Sequence, residues 1–270
     1  MSHSQVIQFH RRAIIHDYVG RVLVLRLNRP SRLNAVNTEL YETLERAVEQ
    51  AVTDLEVRCI VLTGEGRAFC AGADLKAHSE QGPPVGPARA QYIDLAQRTN
   101  YLLQVCRIPI IAAVNGPAVG AGLELALSAD FMVVAEDAKL RLPELVLGTF
   151  VGGGAVYTLA ERVGVAKARE IMYLGEFFSG KDAFEMGLAY RAVPVEQVED
   201  CALELANRLA AVAPLSFARA KELVGPAGGP HRLEALEDEA EALDELFGTK
   251  DWQEGLKAFR EGRPPDFTGK

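Results

Sequence analysis

Cysteine is scarce and scattered in this 270-residue chain: Cys59, Cys70, Cys106 and Cys201 form no CxxC pair and have no histidine close by. The spacing is that of reduced thiols in a cytoplasm rather than of a disulfide framework or a zinc site. The five histidines are dispersed and form no metal set. Positive charge is not in excess, since 29 Lys and Arg stand against 37 Asp and Glu, a net charge of −8. An acidic balance argues against broad nucleic-acid binding, which needs a basic face. A few local cations and helix N-termini can still hold an anionic small molecule. No apolar run is long enough for a signal peptide or a bilayer span. The GxxxxGK[ST] loop is missing, which excludes a P-loop, and so is the GxSxG elbow, which counts against an α/β-hydrolase. Gly64-Glu65-Gly66 starts like a dinucleotide fingerprint, but it lacks the third glycine and no helix follows directly.

What is present is a core. Hydrophobic residues make up 49% of the chain, ample for one large domain or a domain with a subdomain. Residues 22–27 (VLVLRL) predict a strand. Asn37 predicts an N-cap for a helix whose apolar face is Leu40, Leu44, Ala47, Val48 and Ala51. The unalternating run 59–62 predicts a strand buried on both faces. Strand, helix and buried strand together predict a right-handed crossover. The pattern recurs with a mobile loop at 81–90, a helix over 90–106 and a strand over 109–114. A glycine-rich turn then opens a helix from Ala121 to about Ser128. Strands over 131–135 and 140–142 precede a helix starting near Pro143. Beyond residue 194 the periodicity is helical over 198–223 and 231–246, and the Pro-rich tail from Gly262 reads as extended. The organisation is an α/β core of repeating strand-strand-helix units over residues 1–195, followed by a helical region over 196–270.

Several segments carry candidate chemistry. In Phe69-Cys70-Ala71-Gly72-Ala73-Asp74-Leu75, small residues gather where the chain leaves a buried strand, and they let a ligand approach free backbone N–H groups. The same residues also make a tight turn with Asp74 as a helix cap. In Asn115 to Leu125, glycines and alanines open a helix whose N-terminus aims unsatisfied N–H groups at whatever lies before it. Glu124 there sits among Leu123, Leu125, Ala126 and Leu127, a setting that raises a carboxyl pKa and suits proton transfer. Glu144 follows Pro143 among apolar neighbours. Each glutamate taken alone also reads as a helix-start residue. The Gly152-Gly153-Gly154 run predicts a tight turn and helix start rather than a phosphate site. Leu243, Leu246, Phe247 and Phe259 read as core or subunit interface, and Trp252 has no assigned role.

Together these segments resemble the crotonase (enoyl-CoA hydratase/isomerase) superfamily. The resemblance starts at Leu27-Asn28-Arg29-Pro30 with Leu33-Asn34-Ala35, and runs through residues 68–76 and 115–124 to Leu142-Pro143-Glu144 with Leu147-Gly148. It continues at Gly187-Leu188-Ala189 and Val193-Pro194, and closes at Glu254-Gly255 and Ala258-Phe259. It implies a crotonase-like spiral of strand-strand-helix units with a C-terminal helical trimerisation region, forming trimers or dimers of trimers. It implies an oxyanion hole from the N–H groups of Ala73 and Ala121, and catalytic glutamates at Glu124 and Glu144. Arg32, Ala35, Ala71, Asp74, Leu75, Lys76 and Gly120 are implied to line the acyl-CoA site. No metal is implied, and no cofactor beyond the coenzyme A that is part of the substrate.

Both glutamate positions are filled, which favours hydration of a 2-enoyl-CoA over isomerisation. The chain departs from the family at Val151, where proline is frequent, and over 153–159. These positions lie on the acyl side in relatives. It departs again at Gly262, where some members carry a phosphate-binding lysine. The phosphates are therefore expected on Lys76, Arg29 or Arg32. The alternatives are an isomerase or another crotonase lyase, and a non-catalytic acyl-CoA binder. A Clp-like serine protease ranks low, because no histidine lies in the site segments.

Overall fold

The computed structural model describes residues 13–77, 82, 84–224, 231–263 and 265. At its centre are the strands β1 (Ile14–Val19), β2 (Val22–Leu27), β3 (Cys59–Gly64), β4 (Ile110–Val114), β6 (Phe131–Ala135) and β9 (Arg191–Val193), side by side in that order. β1 and β2 are antiparallel, and every other neighbouring pair is parallel. A smaller sheet joins β5 (Ala118–Val119), β7 (Lys139–Arg141) and β8 (Phe178–Ser179).

Nine labelled helices surround the sheets among the described residues: α1 (Thr38–Thr53), α2 (Pro87–Val105), α3 (Ala121–Leu127), α4 (Ala155–Leu174), α5 (Gly180–Glu185), α6 (Val198–Ala210), α7 (Pro214–Val224), α8 (His231–Phe247) and α9 (Lys250–Glu261). The predicted face of α1 is the buried one, and Asn37 caps it by accepting from the Leu40 N–H at 3.0 Å. Every residue of β3 is buried, as its unbroken apolar run requires. The expected boundary near residue 195 falls between β9 and α6. Helix α6 then returns to the sheet and buries Val198, Ala202, Leu205 and Ala206 against β3, β4 and β6.

Two helix expectations are corrected. Residues 198–223 form two helices, because Pro214 lacks an N–H and cannot sit inside a continuous one. No helix starts at Pro143. A single 3-10 turn, Leu145–Leu147, is ended by Gly148 at φ 73°, and the next helical segment begins only at Ala155 and is kinked at Gly164, φ 75°. The helix expected over 90–106 begins earlier, at Pro87, inside the predicted loop. Residues 81 and 83 of that loop, and 264 and 266–270 of the expected extended tail, lie outside the described residues.

The segments that leave β2, β3 and β4 are bound to one another by two asparagines. Asn34 is fully buried and takes a left-handed φ of 57°. Its amide donates to the carbonyls of Glu65 and Ala68 at 2.9 and 2.8 Å, and its Oδ1 accepts from the Arg29 N–H at 2.9 Å. Asn115 accepts from the Gly64 N–H at 3.3 Å and donates to the carbonyls of Gly64 and Gly66 at 2.9 Å each. Asn34→Ala leaves three backbone groups without their partner. It is expected to cost about 2–4 kcal/mol, seen as a lower urea midpoint at unchanged slope.

Candidate active site

The loop after β3 and the loop after β4 run side by side. The Cys70 N–H donates to the Pro117 carbonyl, and the Val119 N–H donates to the Cys70 carbonyl, at 3.0 Å each. Ala73 pairs with Val36 through its flanking residues: the Val36 N–H bonds the Gly72 carbonyl at 2.8 Å, and the Asp74 N–H bonds the Val36 carbonyl at 3.2 Å. In such a parallel bridge the N–H of the middle residue points away from the partner. The Ala73 amide is thus turned from Val36. Ala121 is the first residue of α3, so its N–H has no acceptor within the helix. Gly72, at φ 90°, lets the two loops touch: a Cβ there would lie 2.5 Å from the Val119 carbonyl oxygen and 3.7 Å from the Ala121 nitrogen.

Glu124 lies one turn into α3 and is 4% exposed, among Leu123, Leu125, Ala126 and Leu127. Its Oε1 accepts from two successive amides, Gly152 at 3.1 Å and Gly153 at 2.7 Å. Glu144 precedes the 3-10 turn and is 9% exposed, and its Oε2 is buried without a hydrogen-bond partner. Gly120 makes room for it. A Cβ at Gly120 would sit 2.5 Å from Glu144 Oε1, and the backbone there, φ 52° and ψ −126°, is one that only glycine adopts readily.

Burial raises both carboxyls, Glu124 to about 7 and Glu144 to about 8. The order has a physical cause. Hydrogen bonds from Gly153, Gly152 and Ala155 favour the charged form of Glu124. Glu144 is raised by burial first and then by the neighbouring charge of Glu124, with lesser opposing help from its own backbone and from Arg141. The two protonations belong to the pair, and Glu144 holds the more tightly bound proton.

Both glutamates face one cavity of about 820 Å³, and all eleven site residues expected from the sequence line it. Their side chains differ in availability. Arg32 and Lys76 are exposed at the cavity wall, as is Arg67, which the sequence reading passed over. Arg29 does not line the cavity. Its guanidinium is bound to the Ala35 carbonyl and to Asp74 at 2.9 Å, so it is corrected from phosphate ligand to loop brace. Asp74 is held below the usual carboxylate range by the Ala77 N–H and Arg29, against an opposing effect of burial. It caps the helical turn at 75–77, with the Ala77 N–H at 3.1 Å.

Much of the remaining wall is apolar and aromatic, with Arg141 and Thr149 among its polar residues. Tyr41 from α1 and Tyr92 from α2 contribute to it, and so do Leu243, Phe247, Trp252 and Phe259 from the C-terminal helices of the same chain. Leu243, Phe247 and Phe259, expected as core or subunit interface, thus also line the site, and so does Trp252, which had no assigned role. The glycine run, expected to be a turn and helix start, is one, but it also supplies the amides that hold Glu124. Its position beyond β6, β7 and the 3-10 turn hid that pairing from any local pattern.

Residues 18–270 match the family model described as enoyl-CoA hydratase/isomerase. The chain belongs to this family. Among relatives in it, a 2,3-dehydroadipyl-CoA hydratase of Escherichia coli (strain K12) is 36% identical over 250 residues, 93% of this chain and 96% of its own. A 1,2-epoxyphenylacetyl-CoA isomerase of the same organism is 35% identical over 253 residues, 92% and 95% of the two chains. The crystal structure of an enoyl-CoA hydratase from Mycobacterium avium subsp. paratuberculosis K-10 matches with a TM-score of 0.85 at 27% identity, over 95% of this chain and 98% of that one. The fold is accordingly the crotonase-like α/β fold.

A raised carboxyl pKa makes stability fall as pH rises. The folded state keeps the Glu144 proton that the unfolded chain releases near 4.5, so stability declines from there until the folded group ionises near 8. Glu144→Gln removes this loss. The melting temperature of the variant is expected to gain on the parent's steadily across that window and to level off above it. Parallel melting curves at all pH values would contradict the buried, protonated state.

Proposed function

We propose that the chain is an enoyl-CoA hydratase that adds water across a 2-enoyl-CoA double bond. The observation that carries this reading is the unequal carboxyl pair on one cavity wall: Glu124 fixed by two amides, Glu144 with an unpartnered oxygen. Between their pH ranges the pair holds one proton, which provides a base and an acid together. Ionised Glu124 takes a proton from a water lodged between the carboxyls, and the hydroxide oxygen bonds to C3. Electrons of the C2–C3 double bond move into the thioester, whose oxygen becomes enolate-like. The N–H groups of Ala73 and Ala121 hold that oxygen, and each such donor is worth about 3–4 kcal/mol of barrier. Glu144 then gives its proton to C2. The product leaves with both hydrogens of one water accounted for, and a proton passes from Glu124 back to Glu144.

The reaction needs no group beyond side chains, amides and the thioester's own coenzyme A. Exposed Arg32, Arg67 and Lys76 suit the CoA phosphates. Among the described residues no single helix is long and apolar enough to cross a membrane. A cytoplasmic setting is part of the proposal. Residues 196–270 are proposed to hold trimers together, alone or paired as hexamers, with sedimentation of the full chain as the check.

Loss of enoyl-thioester absorbance over a panel of 2-enoyl-CoAs tests the reading. Glu124→Gln and Glu144→Gln are each expected to lower kcat by roughly 10²–10⁴-fold. The parent's kcat/KM should be bell-shaped, with both limbs belonging to the Glu124–Glu144 pair and lying well above the ordinary carboxyl range. Full hydration by both variants would exclude the mechanism. Binding of CoA thioesters without turnover of any would favour the binder. Double-bond migration that survives in Glu124→Gln while hydration is lost would show that Glu144 alone can shuttle protons.

A further inference from the structure

Behind the Gly152–Gly153 turn lies a cluster of neutral polar side chains, two of which, Gln104 and Ser128, also line a second cavity together with Asp130, Glu161, Arg162 and Lys221. Asn100 and Gln104 come from α2, one turn apart, and Ser128 follows α3, and their exposures are 1%, 9% and 2%. None of the three lines the 820 Å³ cavity, so substrate does not account for them. Gln104 Nε2 donates to the Gly153 carbonyl at 3.4 Å and to Ser128 Oγ at 3.3 Å. Ser128 Oγ lies 2.9 Å from both Asn100 Oδ1 and the backbone carbonyl of Glu124. The amide of Asn100 is anchored on the Ala96 carbonyl at 2.9 Å. Gly153 lies directly on that amide: a Cβ at Gly153 would come within 2.8 Å of Asn100 Nδ2. Burying three such groups costs desolvation that leucine or methionine would avoid.

We propose that Asn100, Gln104 and Ser128 are positioning residues for the base. They hold the Gly152–Gly153 turn so that both amides aim at Glu124 Oε1, and they fix the Glu124 backbone at the same time. The inference rests on reading Glu124 as the base. The turn and α3 are separate elements, and the cluster ties one to the other. Without it the glycine-rich turn is free to swing, and Glu124 loses the donors that favour its ionised form. The base must be charged to act, so a rise in its pKa moves the acid limb of kcat/KM to higher pH.

The charged and titratable groups around Glu124 are Glu144 before the 3-10 turn, Tyr41 on α1 and Tyr92 on α2. Arg141 on β7 acts on Glu144. All of these stay in place when the cluster is altered, and the cluster carries no charge. A moved limb therefore reports the loss of aimed amides rather than a change in Coulomb forces.

The test compares Gln104→Met, Ser128→Ala and Glu124→Gln with the parent. Thr99→Val is the structural control, because buried Thr99 on the same helix bonds only the Leu95 carbonyl, at 2.8 Å. Gln104→Met and Ser128→Ala are expected to move the acid limb up by about one pH unit and to lower kcat near pH 7 about fivefold, with KM within about twofold. Thr99→Val is expected to lose stability while its limb stays. Folded Gln104→Met or Ser128→Ala with the parent's acid limb overturns the proposal. If one of the two fails to fold, the other decides. A fully active Glu124→Gln overturns both the assignment of the base and the brace. An inactive Glu124→Gln beside unmoved limbs overturns the brace alone.

Discussion

Two carboxyl groups buried in one apolar cavity make an expensive arrangement, and the site is built around making it asymmetric. Charged and alone, each would lose several kcal/mol of hydration. Two amides compensate Glu124. Glu144 receives no such help at its Oε2 and keeps its proton instead. One buried group with donors and one without is the simplest way to obtain a base and an acid from the same side chain at neutral pH.

The scaffold serves that asymmetry by bringing distant segments together. Parallel strands deliver loops 65–77 and 115–120 to the same end of the sheet, where Asn34 and Asn115 lock them with side-chain hydrogen bonds. Gly72 allows the two loops to approach closely beside the Ala121 amide, and Gly120 clears the volume that Glu144 occupies. The C-terminal helices close the far wall with Leu243, Phe247 and Trp252.

Much of this was legible in the residues. β2, β3, β4 and β6 announce themselves as β-branched runs, and α1 by its apolar stripe and its cap. Glu124 stood out because a carboxylate in an apolar helix needs a reason. Other features were hidden for physical reasons. β1 carries His16 and Asp17 and is exposed over half its length, so no apolar period marks it. Pro143 looked like a helix start, but glycine at 148 ends the turn after three residues. Gly152 and Gly153 act through their amides, which no side-chain pattern records. Asn100 and Gln104 look like ordinary polar residues of an exposed helix, since α2 has little apolar periodicity. Their partners lie 28 and 49 positions away. Contacts of that range are written in the topology and not in any window of sequence.

The most direct measurement of the central claim is a titration of the two carboxyls themselves. Carbon-13 labelling of glutamate side chains, with signals assigned through Glu124→Gln and Glu144→Gln, follows each group in the intact protein. The account predicts two steps in the neutral range, with Glu124 ionising before Glu144 and neither near the ordinary value of 4.5. Ionisation of both groups near that ordinary value, or of Glu144 first, would contradict it.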